Sequence, residues 1–218
     1  MPVAFVDLAR TCAPDFAVET IAAVVSLESN FQPFAIRINS GPPLADQPET
    51  MAEAIEAATV LIADHQDIQL GLGGLGLSEL SKLDLTVSDA FDACRNLKAT
   101  ATLLDSHYRL ALRAGATSAE VERVMLQSFY GRGDASVGAM VKYDEQVRRE
   151  AKRLSAKLTS LAVRQEAPER DQAASAVTES DAVRSEKHEA NESPWDVFTS
   201  GRKASVLVYR NDQQEQYK

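Results

Sequence analysis

Basic charge is what this 218-residue sequence has least of: 23 Lys and Arg stand against 32 Asp and Glu, a formal net charge of −9. The deficit is uneven. Residues 1–150 carry 12 basic and 21 acidic side chains, whereas 151–218 carry 11 of each, so the whole excess sits in the first part. No basic stripe exists to neutralise phosphates, which excludes a nucleic-acid platform. A neutral or weakly charged substrate, or a protein partner, fits better. Long apolar runs are also missing. The longest, such as Ile21–Leu27, fall far short of the roughly 20 residues that a membrane-spanning helix needs, so no integral membrane segment is expected. The opening Met1-Pro-Val-Ala-Phe-Val has no basic start and meets Asp7 and Arg10 almost at once, so no export signal is readable.

Residues with distinctive chemistry are sparse too. His65, His107 and His188 have no cysteine or carboxylate at ligand spacing, which leaves no argument for a metal. No serine lies in a nucleophile-elbow context and no cysteine has a nearby histidine, so covalent catalysis has no candidate. Cys12 and Cys94 are the two cysteines. They read either as buried thiols, the commonest fate of cysteine, or as one long-range disulfide, which requires an oxidising compartment. Gly71-Leu72-Gly73-Gly74-Leu75-Gly76 matches a dinucleotide-binding pattern, but no six-residue strand precedes it and no βαβ unit surrounds it. Arg132-Gly133-Asp134 reads as a chance loop sequence.

What is present is globular: 44% hydrophobic and 25% charged residues suffice for a sizeable core. The length fits one domain plus extensions. Val3–Cys12 reads as a short helix, and Asp15 as the N-cap of a second, which Pro33 ends. Helices are expected over 49–63, 88–108 and 119–130, with a long charged helix from 139 to about 164. The segment 65–77 reads as a tight irregular backbone that something approaches closely. The fold class is therefore all-α, one compact helical domain with minimal strand over 1–150, a last-helix extension over 151–165 and a tail over 166–218. That tail is too polar to repay its ordering entropy and is expected to be disordered. Near its end, 194–209 brings back aromatic and β-branched residues in the pattern of a segment that orders on a partner.

One residue breaks its local pattern. Ile21, Val24 and Val25 lie on one face of the second helix, and the next position on that face is Glu28. A carboxylate there loses solvation and faces the negative end of the helix dipole, both of which favour its protonated form. That is what a general acid at a glycosidic oxygen requires. The other reading is that the helix ends a residue early and Glu28 turns to water. A hydrolytic glycosidase needs a second carboxylate. Glu79, Asp84, Asp89 and Asp92 are available, each unmarked by its neighbours and read as a solvated surface charge. Glu28 acting alone suggests a one-carboxylate mechanism.

The run Val25-Ser-Leu-Glu28-Ser29-Asn-Phe31-Gln-Pro33-Phe-Ala35-Ile36 resembles the catalytic motif of the lysozyme-like lytic transglycosylases. Leu70-Gly71-Leu72 resembles the start of that family's Gly-Leu-Met-Gln-Ile loop. Phe129-Tyr130 resembles its Ala-Tyr-Asn segment, and Tyr143 and Val147 its closing helix. More narrowly, Cys12-Ala13-Pro14, Asp92-Ala-Cys94-Arg-Asn96-Leu97, the insertion between Ile36 and Gly71, and Trp195-Asp196-Val197-Phe198 resemble the lytic transglycosylase subunit of type IV secretion systems.

The resemblance implies a lysozyme-like fold and a periplasmic protein in which Cys12 and Cys94 pair. It implies cleavage of the bond from N-acetylmuramic acid to N-acetylglucosamine, with Glu28 as acid and then base and a 1,6-anhydro product. Ser29, Gly71, Leu72, Tyr130 and Tyr143 would form the substrate-binding set, Tyr130 also orienting Glu28. No cofactor is implied. The partners would be peptidoglycan glycan strands and, through the tail, channel components of the secretion apparatus. Two positions depart from the motif: the loop glutamine falls on Gly74 and the asparagine after the tyrosine on Gly131. Those losses keep open a catalytically weak or inactive wall-binding assembly factor of the same apparatus.

Overall fold

The computed structural model of the chain describes residues 2–164. Pro2–Ala4 (β1) lies antiparallel to Ala162–Arg164 (β5), with Val3 opposite Val163. The expected long helix over 139–164, and with it the extension over 151–165, is therefore divided. Ala135–Met140 forms α8, Lys142 turns the chain at a φ of +53°, Tyr143–Leu154 forms α9, and Ser155–Ser160 is a 3-10 turn. Apolar periodicity ran through this stretch because successive elements pack on the same core. The left-handed residue that separates them carries no sequence signature. The tail expected over 166–218, with the short segment at 194–209, lies outside the described residues.

Phe5–Cys12 (α1) and Val18–Ser29 (α2) follow β1. Asp15 does not cap α2; Ala17 is its N-cap and offers no side-chain bond. Capping is dispensable here because Ile21, Ala22, Ala23, Val24 and Val25 are all fully buried. Complete burial of Ile21, Val24 and Val25 stabilises by about 1.5–3 kcal/mol each, together more than one cap contributes. Helix α2 is thus the central rod of the first core. Leu97 and Leu104 of Ala93–Arg113 (α6), Met125 and Leu126 of Val121–Tyr130 (α7), and Tyr143 and Val147 of α9 pack in that same core.

A second core forms on a small sheet that the sequence reading did not identify. Ile36–Ile38 (β2), Ile68–Leu70 (β3) and Leu75–Gly76 (β4) pair antiparallel in that order. Strands of two or three residues are too short to show alternation. Met51–Ala63 (α3), Leu77–Lys82 (α4) and Val87–Phe91 (α5) surround it, with Phe34, Ile68, Leu70, Leu75 and Phe91 inside. Thr50 caps α3 by accepting from the Glu53 N–H at 3.2 Å. The helix expected over 88–108 breaks at Asp92, whose side chain caps α6 by accepting from the Arg95 N–H at 2.8 Å. Nine α-helices and five short strands make up the described residues, an all-α architecture with minimal strand. Among them no helix is long and apolar enough to cross a membrane.

Candidate active site

Helix α2 continues through Ser29, so Glu28 sits inside its last turn with its side chain only 4% exposed. The reading in which the helix ends early and Glu28 meets water does not hold. Its two oxygens have separate partners. Oε1 accepts the Tyr143 hydroxyl at 2.6 Å, and Oε2 accepts Arg37 Nη2 at 2.5 Å.

Each partner is placed by local geometry. Arg37 stands directly opposite Gln69 in the β2–β3 ladder, and its Nε donates to Gln69 Oε1 at 2.5 Å. A cross-strand pair of this kind fixes a long side chain that would otherwise roam. Tyr143 opens α9 immediately after the Lys142 turn, is 2% exposed, and stacks at 4.9 Å on the ring of Tyr130, the last residue of α7. Burial first, and then the charge and hydrogen bond of Glu28, hold the Tyr143 phenol well above its usual range, so it stays a donor.

The glycine segment reaches Glu28 from the other side. Gly74 has a φ of +62°, and a Cβ there would stand 2.8 Å from Glu28 Oε2. Side chains below hold this backbone in place. Asn96, fully buried, accepts the Gly73 N–H at 2.8 Å and donates to the carbonyls of Ala90 at 2.7 Å and Leu70 at 3.2 Å. Ser29 Oγ donates to the Leu72 carbonyl at 2.9 Å. These buried polar groups are satisfied, which makes them a rigid clamp rather than a loss of stability.

A cavity of about 260 Å³ opens in front of Glu28, with Gly74, Leu75, Glu79, His107, Phe129 and Tyr130 among its lining. Of the residues expected from sequence, Glu28 and Tyr130 face it. The other four expected substrate contacts lie elsewhere. Ser29 is buried and spends its proton on backbone carbonyls, Gly71 and Leu72 are buried, and Tyr143 stands behind Glu28 as its hydrogen-bond donor. Small or apolar residues in a motif read alike whether they touch a ligand or support the residue that does. The roles of Arg37 and Gln69 depend on pairing across the sheet, and that of Asn96 on the backbone that the fold brings over α6.

Glu79 is a further correction. Read as a surface charge, it is buried to 7% exposure and lines the same cavity as Glu28. Asp89 and Asp92 do serve local ends, Asp89 in a capping box with Thr86 and Asp92 as the α6 cap. His107 lies nearby, its imidazole held below the usual range by burial and then by Lys82, against the opposing charge of Glu79. Arg132 bonds Asp67 at 2.9 Å, and Asp134 caps α8. Cys12 and Cys94 form a disulfide, Cα to Cα 5.3 Å, that joins α1 to the start of α6. Among the described residues no cluster of three or more His, Cys, Asp or Glu could hold a metal.

These features define a helical protein with a buried, doubly hydrogen-bonded carboxylate at the end of its central helix, facing an open cavity. The chain is similar to proteins named VirB1. It is 40% identical over 110 residues to the type IV secretion system protein VirB1 of Brucella abortus, covering 50% of this chain and 46% of that one. It is 32% identical over 160 residues to protein VirB1 of Agrobacterium fabrum, covering 72% of this chain and 62% of that one. With protein VirB1 of Rhizobium radiobacter the identity is 34% over 134 residues, 60% of this chain and 53% of the relative. The chain spans about half the length of the curated relatives it matches. No family model matches it, and no solved structure matches it significantly.

Proposed function

We propose that this protein is a peptidoglycan lytic transglycosylase that opens the cell wall locally for a type IV secretion or conjugation channel. The observation that carries the proposal is Glu28: a carboxylate with 4% side-chain exposure, held at one oxygen by a phenol and at the other by a guanidinium, at the edge of a cavity. The Brucella relatives named as type IV secretion system proteins support the setting.

Glu28 acts first as acid. Tyr143 fixes Oε1, which leaves Oε2 as the oxygen that meets the glycosidic bond. Arg37, 40% exposed on its side chain, swings from Oε2 as the glycan enters. Oε2, released from Arg37, takes up a proton from solvent and passes it to the oxygen leaving C1 of N-acetylmuramic acid. Glu28 then takes the proton of the muramic acid 6-hydroxyl as that oxygen closes on C1, giving a 1,6-anhydro end. The 6-hydroxyl is in the same molecule, and that proximity replaces an external nucleophile. Tyr130 at the cavity wall contacts sugar.

The assembly-factor reading rested on Gly74 and Gly131 as lost side chains. Gly74 supports activity instead, because its missing Cβ is what lets the loop close on Glu28. At Gly131 a Cβ would fall 1.8 Å from the Asp134 carbonyl, so that turn itself requires glycine. The disulfide fits a periplasmic setting, where thiols pair and persist. Docking on channel components falls to the tail over 166–218. Digestion of peptidoglycan with the full chain and with Glu28→Gln, read as anhydromuramic ends, tests the proposal.

A further inference from the structure

Arg37 holds the oxygen that has to deliver the proton. Its Nη2 donates to Glu28 Oε2 at 2.5 Å, and arginine has donors only. While that bond stands, Oε2 is engaged as an acceptor and has no proton to give. Gln69 Oε1 accepts both Nε and Nη2 of the same guanidinium. The Arg37 side chain is 40% exposed against 4% for Glu28, so it is the partner of the pair that can turn outward.

Outward of Arg37 lies a second cavity, of about 480 Å³, with Asn39, Asp67, Gln69, Tyr130 and Arg132 also in its wall. Gln69, Tyr130 and Arg132 line the first cavity too, so the two adjoin along these residues. Two arginines and one aspartate make the second wall net positive, in a part of the chain where acidic side chains outnumber basic ones 21 to 12. Asp67 accepts Arg132 at 2.9 Å and Asn39 at 3.1 Å, which leaves Glu28 as the anionic partner of Arg37. A neutral oxygen competes poorly for that guanidinium, because a hydrogen bond to an ionised acceptor is roughly twice as strong. A second anion competes on equal terms.

We infer that Arg37 determines specificity by taking the lactyl carboxylate of the muramic acid being cleaved, an exchange that frees Glu28 to be protonated. This rests on the reading of Glu28 as the acid. The lactyl group is carried on O3 of the same ring whose C1 meets Oε2, and it is the acidic group of that sugar. Gln69 keeps hold of Nε while the guanidinium turns, so the side chain pivots into the second cavity and stays in the cleft. Where a stem peptide is attached, the lactyl carboxyl is an amide and carries no charge to draw Arg37 away. Peptide-free glycan is therefore the favoured substrate.

The test uses the full chain on peptide-free glycan strands prepared with an amidase, on the same strands with the lactyl carboxyl coupled to methylamine, and on peptide-bearing strands. Anhydro ends are followed by mass spectrometry to give kcat/KM. Wild type prefers the free carboxylate about 10- to 100-fold, the scale of one charge-assisted hydrogen bond, and cleaves peptide-bearing strands as slowly as the methylamide. Arg37→Gln cleaves the free and amidated strands at similar rates, whereas a residue that only supported the fold would slow both and leave their ratio unchanged. Where circular dichroism shows that variant unfolded, Arg37→Lys, which keeps a charge but not the planar fork, lowers the preference. Equal kcat/KM on free and amidated strands from wild type overturns the inference and leaves the transglycosylase standing, as does an unchanged preference in the folded variant. Peptide-bearing strands cleaved as fast as free ones assign the contact to a peptide carboxylate and overturn it too. Absence of anhydro ends on every strand from wild type overturns both readings together.

Discussion

Tyr143 donates its hydroxyl to Glu28 at 2.6 Å across 115 residues of sequence, linking the first residue of α9 to the last turn of α2. Both groups are nearly sealed from water, and when Glu28 is ionised the bond is charge-assisted and strong. Losing such a bond costs about 1.5–3 kcal/mol, which is about 10- to 100-fold in kcat/KM. Tyr143→Phe is expected to lose that much activity with the fold retained, as steady-state assays on soluble glycan will show.

The same phenol gives a pH dependence. Its folded pKa lies above the unfolded value, so the stabilisation is complete below about pH 10 and is lost as pH rises through the folded value. Alkaline absorbance titration of the protein, which has five tyrosines, is expected to leave one un-ionised until the fold is lost. Tyr143→Phe removes that late step.

Gly74 offers a test of whether the glycine loop is a lesion or a fit. Its positive φ alone costs a side chain about 1–2 kcal/mol. The larger effect falls on activity, because a Cβ displaces the Glu28 carboxylate between its two donors. Misplacement by about 1 Å can cost about 100-fold. Gly74→Gln, which restores the residue the motif has there, is therefore expected to lower kcat/KM about 100-fold. A rise would mark the glycine as a loss of function.

His107 reports on Glu79. Burial and Lys82 depress its pKa while Glu79 raises it. Its depressed value stabilises the fold above the ordinary pH of about 6.5, and that contribution disappears as pH falls through the folded value. In NMR titration His107 is expected below the usual range, and lower still in Glu79→Gln.

The Cys12–Cys94 disulfide closes a loop of 82 residues. The chain-entropy estimate for that length is about 4.5 kcal/mol. Denaturant unfolding of the oxidised protein against Cys12→Ser/Cys94→Ser is expected to differ by about that amount, with catalysis retained in the folded fraction.

The burial of Glu28 was legible because a helix stripe has a fixed period, and Glu28 occupied a position where only apolar residues otherwise stood. Its motif neighbours were legible as a set but not in their roles. Ser29 and Leu72 belong to the same pattern as Glu28 yet bond to each other, since a hydroxyl's direction depends on which carbonyl the fold brings near. Arg37 and Gln69 needed a register between three-residue strands, which no periodicity reveals. Glu79 was misread because its burial depends on Gly76 and the cavity wall rather than on its own helix. The long last helix failed at Lys142, whose left-handed turn aims Tyr143 at Glu28.

The most direct measurement compares the full chain with Glu28→Gln on purified peptidoglycan, counting 1,6-anhydromuramic ends by mass spectrometry. The account predicts anhydro ends from wild type and a loss of all cleavage products in the variant. Anhydro ends from both proteins would remove Glu28 from the chemistry. Their absence from a folded wild type would contradict the transglycosylase itself.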